Sequence, residues 1–286
     1  PNADHWALEY SGHLHARGQC FTCSHLIGID MGLPKNRFKA ALNEGRHQLG
    51  IWSGLGGHTA PEILATCGFD WVLIDAEHGP MEPIDVLPAL QAISGYPDVT
   101  PIVRPADHNP SVIKRFLDMG AQSLLIPFVQ NRTEAEEVVK SIRYAPRGIR
   151  GMAGITRANR FGQVQDYATR ANEEICLLVQ AETALALENL EDIASVDGID
   201  GVFIGPADLA ASMGLVGQPD HPDVIKACED AIARLDAIEC PAGILTLNEK
   251  FSKRCIELGT LFTAVGVDLC MVVDGAKALR QRFHFV

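Results

Sequence analysis

Val202-Phe203-Ile204-Gly205-Pro206-Ala207-Asp208-Leu209 is the stretch on which the reading of this chain turns. A β-branched and aromatic run stops at Gly-Pro, and an acid follows where a helical pattern begins. Such a junction presents unpaired backbone N–H groups at a helix start, which attract anions, beside a carboxylate that attracts a cation. The preceding apolar run, Ile175-Cys176-Leu177-Leu178-Val179-Gln180, ends in the same way, with Glu182 just beyond it. Two acids at the tips of consecutive strands begin a metal site.

Working outward from this junction, a strand-then-helix rhythm repeats from Gln48 onward. Short apolar runs predict strands at Leu49–Trp52, Trp71–Asp75, Pro101–Arg104, Ser123–Pro127, Ile175–Gln180, Gly201–Gly205, Ala242–Leu245 and Phe262–Gly266. Their near-continuous hydrophobicity is what a strand buried on both faces requires. Between them the spacing predicts helices at Ala60–Cys67, Ile84–Ile93, Ser111–Met119, Glu134–Ile142, Leu185–Ser195, Asp223–Ile238, Glu249–Leu258 and Met271–Arg280. Several stop at a glycine, as at Gly68, Gly120 and Gly259. Eight strands alternating with eight helices predict an α/β fold, a closed (β/α)8 TIM barrel over residues 31–286.

The 286 residues suit one such barrel, and 47% hydrophobic with 21% charged residues describes a globular chain with a large core. A formal net charge of −12 argues against nucleic acid as a partner. No stretch reaches the ~18 apolar residues of a membrane span. Eight cysteines are too sparse for a disulfide scaffold. Cys67, Cys176, Cys228, Cys255 and Cys270 sit in apolar patterns and read as buried thiols of a cytoplasmic protein. Residues 1–30 carry four of the ten histidines and the pair Cys20 and Cys23 without periodicity. They read as a disordered extension; the alternative, a zinc knuckle of Cys20, Cys23, His25 and His13 or His15, has only one paired motif.

Catalytic residues of a (β/α)8 barrel lie at the C-terminal ends of its strands. Those ends collect Trp52, then Asp75 with Glu77 and His78, then Arg104, Gln180 with Glu182, and Gly205, Pro206, Ala207 and Asp208. Glu182 and Asp208, from adjacent strands, offer two hard oxygen ligands without a Cys or His pair, which favours Mg²⁺ or Mn²⁺, with Co²⁺ admissible. The plain alternative for each acid is a helix cap or first-turn residue. His78, in a turn ahead of Gly79-Pro80, can transfer protons near neutral pH; its alternative is a solvated loop histidine. Arg104, buried at a strand end, needs an anionic partner, either a developing enolate or an internal pair with Asp75 or Glu77. None of the eight lysines falls at a strand tip, so a carbonyl substrate would be polarised by a metal rather than by a Schiff base.

Two further stretches carry competing readings. Gly54-Leu55-Gly56-Gly57 after the first strand, with Asp75 about twenty residues on, resembles a dinucleotide fingerprint and would make the chain an NAD-dependent oxidoreductase. Its sixth position, however, is Thr59, and the acids at 182 and 208 stay unexplained. Between Ile142 and Ile175 runs a long connection with Arg143, Arg147, Arg150, Arg157, Arg160 and Arg170. It reads as a subunit contact, or as a flap whose arginines meet a second substrate carboxylate.

With these residues in hand, the chain resembles the HpcH/HpaI family of metal-dependent pyruvate aldolases over about residues 37–283. The resemblance rests on Phe38-Lys39-Ala40-Ala41-Leu42, Gly68-Phe69-Asp70-Trp71, Ile74-Asp75-Ala76-Glu77-His78, Val103-Arg104-Pro105, Val129-Gln130-Asn131, Gly148-Ile149-Arg150-Gly151, Val179-Gln180-Ala181-Glu182-Thr183 and Gly205-Pro206-Ala207-Asp208-Leu209. It implies cleavage of a 4-hydroxy-2-oxo acid to pyruvate and an aldehyde, with a non-catalytic 2-oxo-acid-binding protein as the alternative. By the resemblance His78 transfers the proton, Arg104 stabilises the enolate, and Glu182 and Asp208 hold the divalent ion. Gln180 and the backbone around Ala207 hold pyruvate, and Asp118 raises the basicity of the histidine; Trp52, Gly205 and Pro206, read from the strand ends, complete the expected substrate lining. Because Asp118 falls late in its helix, it would reach His78 only across a subunit boundary, as in a hexamer built as a trimer of dimers. Gly56-Gly57-His58 departs from the serine-rich stretch of the family at that place.

Overall fold

The computed structural model describes residues 32–283. Helix α1 (Arg37–Asn43) precedes strand β1 (Gln48–Ser53), which leads through α2 (Thr59–Ala65) to β2 (Trp71–Asp75). Then come α3 (Pro83–Ile93), β3 (Thr100–Arg104), α4 (Pro110–Asp118), β4 (Ser123–Ile126) and α5 (Arg132–Ile142). Helix α6 (Tyr167–Glu174) precedes β5 (Cys176–Ala181), followed by α7 (Ala184–Glu188), α8 (Leu190–Ala194), β6 (Gly201–Ile204) and α9 (Pro206–Ser212). The chain closes with α10 (Pro222–Ala237), β7 (Ala242–Leu245), α11 (Glu249–Glu257), β8 (Phe262–Val267) and α12 (Asp268–Arg282). The eight strands are all parallel and follow one another around a closed barrel, with β8 beside β1.

All eight expected strands are present, with ends within two residues of the sequence reading. Two short helices escaped it, α1 and α6 of seven and eight residues, whereas α9 begins at the helix start expected after Gly205-Pro206. The single helix expected over Leu185–Ser195 breaks at Asn189, whose side chain leaves the helix to donate to the Gln130 carbonyl. The expected extension and zinc knuckle lie outside the described residues.

Strand residues alternate between two cores, as the pleat requires. Trp52, Trp71, Leu73, Ile102, Leu125, Leu178, Phe203 and Phe262 fill the interior, whereas Val72, Ile74, Val103, Val179 and Ile204 face the helices. This parity decides the site. Asp75, Arg104 and Gln180 each stand two residues beyond an interior side chain, so each points over the barrel mouth, and Gly205 shares that parity. Helix α1 closes the other end, placing Phe38 edge-on to Trp71 and Phe262 at ring distances of 6.1 and 5.8 Å.

The arginine-rich connection lies at that closed end, not over the mouth. Arg157 donates to the carbonyl of Met119, and Arg143 pairs with Asp197, residues that precede β4 and β6. Arg150 is buried between the Tyr144 and Tyr167 rings and bonds Asp118 at 2.8 Å. A flap over the site is therefore excluded within one chain. Among the six described cysteines, all free, Cys176, Cys228 and Cys255 are buried as expected; Cys67, in the turn after α2, is exposed, and Cys270 half-buried. Among the described residues no helix is long and apolar enough to cross a membrane.

Candidate active site

Arg104 is the hub of the mouth. Parallel pairing sets Asp75 and Arg104 opposite each other, and the guanidinium grips the carboxylate with two bonds, Nε to Oδ1 at 2.9 Å and Nη2 to Oδ2 at 2.7 Å. This bidentate fit is the strong form of the pair. Its Nη1 donates to Gln180 Oε1 at 3.3 Å and lies 2.7 Å from Glu77 Oε2. That second contact is close but out of line for a hydrogen bond, so Glu77 Oε2 is buried with no hydrogen-bond partner among the described residues. The internal ion pair weighed for Arg104 thus exists, and the bonds named leave two hydrogens, one on Nη1 beside Glu77 and one on Nη2 that is available to a substrate oxygen. Trp52 forms the floor: its indole N–H donates to Asp75 Oδ2 at 3.3 Å, and Arg104 lies 5.0 Å over its ring.

Asp75 also turns the chain above it, accepting from the backbone N–H groups of Glu77 and His78. Burial opposes its charge, but the hydrogen bonds and charge of Arg104 outweigh that and hold its carboxyl below the usual range. His78 is thereby placed on an open turn, its side chain 69% exposed, with Nε2 4.0 Å from Glu77 Oε2. Burial pushes the Glu77 carboxyl up despite the attraction of Arg104 and His78, and the charges of Asp75 and Asp208 add to the push.

Glu182 is buried immediately beyond β5. Its Oε1 accepts from the N–H of Phe128 at 2.8 Å and its Oε2 from Gln180 Nε2 at 2.7 Å. Phe128 holds that N–H in place from a left-handed backbone conformation, φ 57°, which is costly for an aromatic residue. Burial, then repulsion from Asp208 and Glu77, pushes the Glu182 carboxyl up to about 7. Gly205 is required opposite it, because a Cβ there would sit 2.7 Å from both Glu182 Cβ and Oε2. Pro206 opens α9, and Ala207 and Asp208 stand exposed in its first turn.

The structure therefore brings together Trp52, His78, Arg104, Gln180, Glu182, Gly205, Pro206, Ala207 and Asp208 at one end of the barrel. It does not bring Asp118 there. That residue ends α4, and its carboxylate pairs with Arg150 at the opposite end. Sequence reasoning underweighted Glu77, which adds a second acid at Arg104, and missed the Phe128 N–H, for which no side-chain signal exists. The dinucleotide reading fails as well, since the glycine stretch belongs to a closed barrel and Asp75 is committed to Arg104.

This arrangement has relatives. The family model described as HpcH/HpaI aldolase/citrate lyase matches residues 48–275. The chain belongs to that family. It is 58% identical over 253 residues to a pyruvate aldolase of Rhizobium etli, covering 88% of this chain and 99% of that one. It is 52% identical over 250 residues to a 4-hydroxy-2-oxo-heptane-1,7-dioate aldolase of Salmonella typhi, covering 87% and 95%. A crystal structure of an HpcH/HpaI aldolase/citrate lyase family protein from Burkholderia cenocepacia superposes with a TM-score of 0.83 at 34% identity, covering 87% of this chain and 99% of that one. The protein is an aldolase, a carbon–carbon lyase of a family that generally uses a divalent metal ion.

Proposed function

We propose that this aldolase reversibly cleaves a 4-hydroxy-2-oxo acid, such as 4-hydroxy-2-oxoheptanedioate, to pyruvate and an aldehyde through a pyruvate enolate. The observation that supports this most is Glu182: a buried carboxylate pushed up to about 7, beside Asp208 and facing Arg104 and Gln180. Burial and the neighbouring Asp208 and Glu77 charges disfavour the charge on Glu182, which a cation would offset, and the missing Cβ of Gly205 keeps the space before Glu182 Oε2 open. Glu182 and Asp208 fit a hard divalent ion, Mg²⁺ or Mn²⁺ with Co²⁺ admissible, because both offer oxygen and leave most positions to substrate and water. An ion held there would supply a Lewis acid that polarises the keto group of the 2-oxo acid.

The residues of the chain do the rest. His78 takes the proton of the 4-hydroxyl as the C3–C4 bond breaks. The bonding electrons move onto C3 and delocalise into the enolate. Arg104, held by Asp75, aims its remaining Nη2 hydrogen at the enolate oxygen, an interaction of a kind worth ~3–4 kcal/mol. Gln180 and the backbone from Gly205 to Ala207 shape the pyruvate pocket, Trp52 floors the mouth beneath both substrates, and return of the proton to C3 releases pyruvate.

The proposal includes a homo-oligomer, a hexamer built as a trimer of dimers, in the cytoplasm. Leu269, Met271, Val272, Val273 and Leu279 of α12 are all exposed on the single chain, a face that a second copy would cover. The role implied for Asp118 requires the same assembly, since only another copy could carry that carboxylate to His78. Pyruvate release from 4-hydroxy-2-oxoheptanedioate in the presence of Mg²⁺ tests the reading. Binding of the acid without release would leave a 2-oxo-acid-binding protein instead.

A further inference from the structure

Asp268, the first residue of α12, is 4% exposed, yet none of the chemistry above uses it. Its carboxylate accepts four hydrogen bonds. One comes from its own helix, Leu269 N at 2.8 Å. The other three come from the end of β1 and the loop after it: Ser53 Oγ at 2.9 Å, Gly54 N at 2.8 Å and Leu55 N at 3.3 Å. Bonds from N–H groups to an ionised carboxylate are roughly twice as strong as neutral ones. Gly54 permits the approach, because a Cβ there would come 3.1 Å from the Leu269 side chain. The loop's far side rests on the turn that carries His78: a Cβ on Gly56 would lie 3.1 Å from Pro80, and one on Gly79 would lie 3.5 Å from the Gly54 carbonyl. The loop is thus wedged between α12 and the His78 turn.

Barrel order gives this wedge a meaning. Arg104, Gln180, Glu182 and Asp208 come from β3, β5 and β6, so pyruvate occupies that half of the mouth. The second substrate must meet the enolate carbon within reach of His78, on the side formed by β8, β1 and β2. Leu55, Gly57 and His58 are the exposed residues of the loop on that side. We propose that Asp268 is a positioning residue that clamps the loop after β1 as the wall receiving the aldehyde. Asp268 acts on the second substrate through the loop and leaves the pyruvate half-site untouched. The inference rests on the aldolase reading above.

The test compares two half-reactions in Asp268→Ala and in the milder Ser53→Ala. Metal-dependent exchange of the pyruvate methyl protons needs only the pyruvate half-site, whereas aldol addition to acetaldehyde or to succinic semialdehyde needs both. In Asp268→Ala exchange should stay within about twofold of wild type, while KM for the aldehyde rises about tenfold and the preference between the two aldehydes changes. Ser53→Ala should move the same KM by about two- to threefold, and it carries the test alone if Asp268→Ala does not fold. Parallel loss of exchange and addition, or no change in aldehyde KM in either variant, would overturn the clamp. An absence of exchange in the wild type would count against the aldolase reading itself.

Discussion

The two ends of this barrel are built from opposite materials. At the closed end Phe38 plugs the interior and four ion pairs form, Lys35 with Glu174, Lys39 with Asp200, Arg143 with Asp197 and Arg150 with Asp118, while Arg157 bonds the Met119 carbonyl. At the mouth a single buried arginine serves Asp75, Glu77 and Gln180, while the charge of Asp208 helps burial push the Glu182 carboxyl up. The closed end spends sequence on stability. The mouth holds electrostatic tension, centred on the buried Glu182 carboxyl.

Substitutions should separate the ends. Glu182→Gln removes the buried metal ligand and should lower turnover by about 10³-fold, read as pyruvate release under saturating Mg²⁺. Arg104→Ala should lower turnover by about 10²–10³-fold while leaving metal affinity within a few-fold. It also strands Asp75 in a buried site, so unfolding by denaturant should show a loss of about 3–5 kcal/mol. Unchanged turnover in that variant would remove Arg104 from the chemistry. Phe38→Ala, at the other end, should cost about 3–5 kcal/mol of stability yet leave turnover per folded molecule within about twofold.

The smallest expected effect is the tension itself, measured in metal-free protein. Glu182 has a folded pKa of about 7 against an unfolded value of 4.5. The folded state therefore binds the extra proton between those values, and its stability falls as pH rises from about 4.5 to about 7, by about 3 kcal/mol at most. Above that window the loss is constant. Glu182→Gln should flatten this part of the stability–pH curve, and a curve equally steep in the variant would place the tension elsewhere.

The sequence showed the barrel and most of its mouth for one reason: both follow from strand parity. Asp75, Arg104 and Gln180 are the first polar residues after interior hydrophobic ones, so their convergence is legible once the strands are placed. What stayed hidden depends on backbone or on contacts across the chain. The N–H of Phe128 reaches Glu182 from a left-handed conformation that no residue type signals. Asp268 looks like an ordinary first-turn acid until the loop after β1 is seen to fold onto it. Asp118 shows the converse: a family motif suggested a partner that the single chain places at the far end of the barrel.

On the reading proposed above, the electrons of the broken bond pass to a pyruvate enolate, and Glu182 and Asp208 would hold the divalent ion that stabilises it where other aldolases use an amine. Methyl-proton exchange of pyruvate in D₂O, followed by NMR, tests it most directly. Exchange is expected with wild type and Mg²⁺, and none after chelation or in Glu182→Gln. Exchange that continues at full rate in chelator, or in that variant, would contradict it.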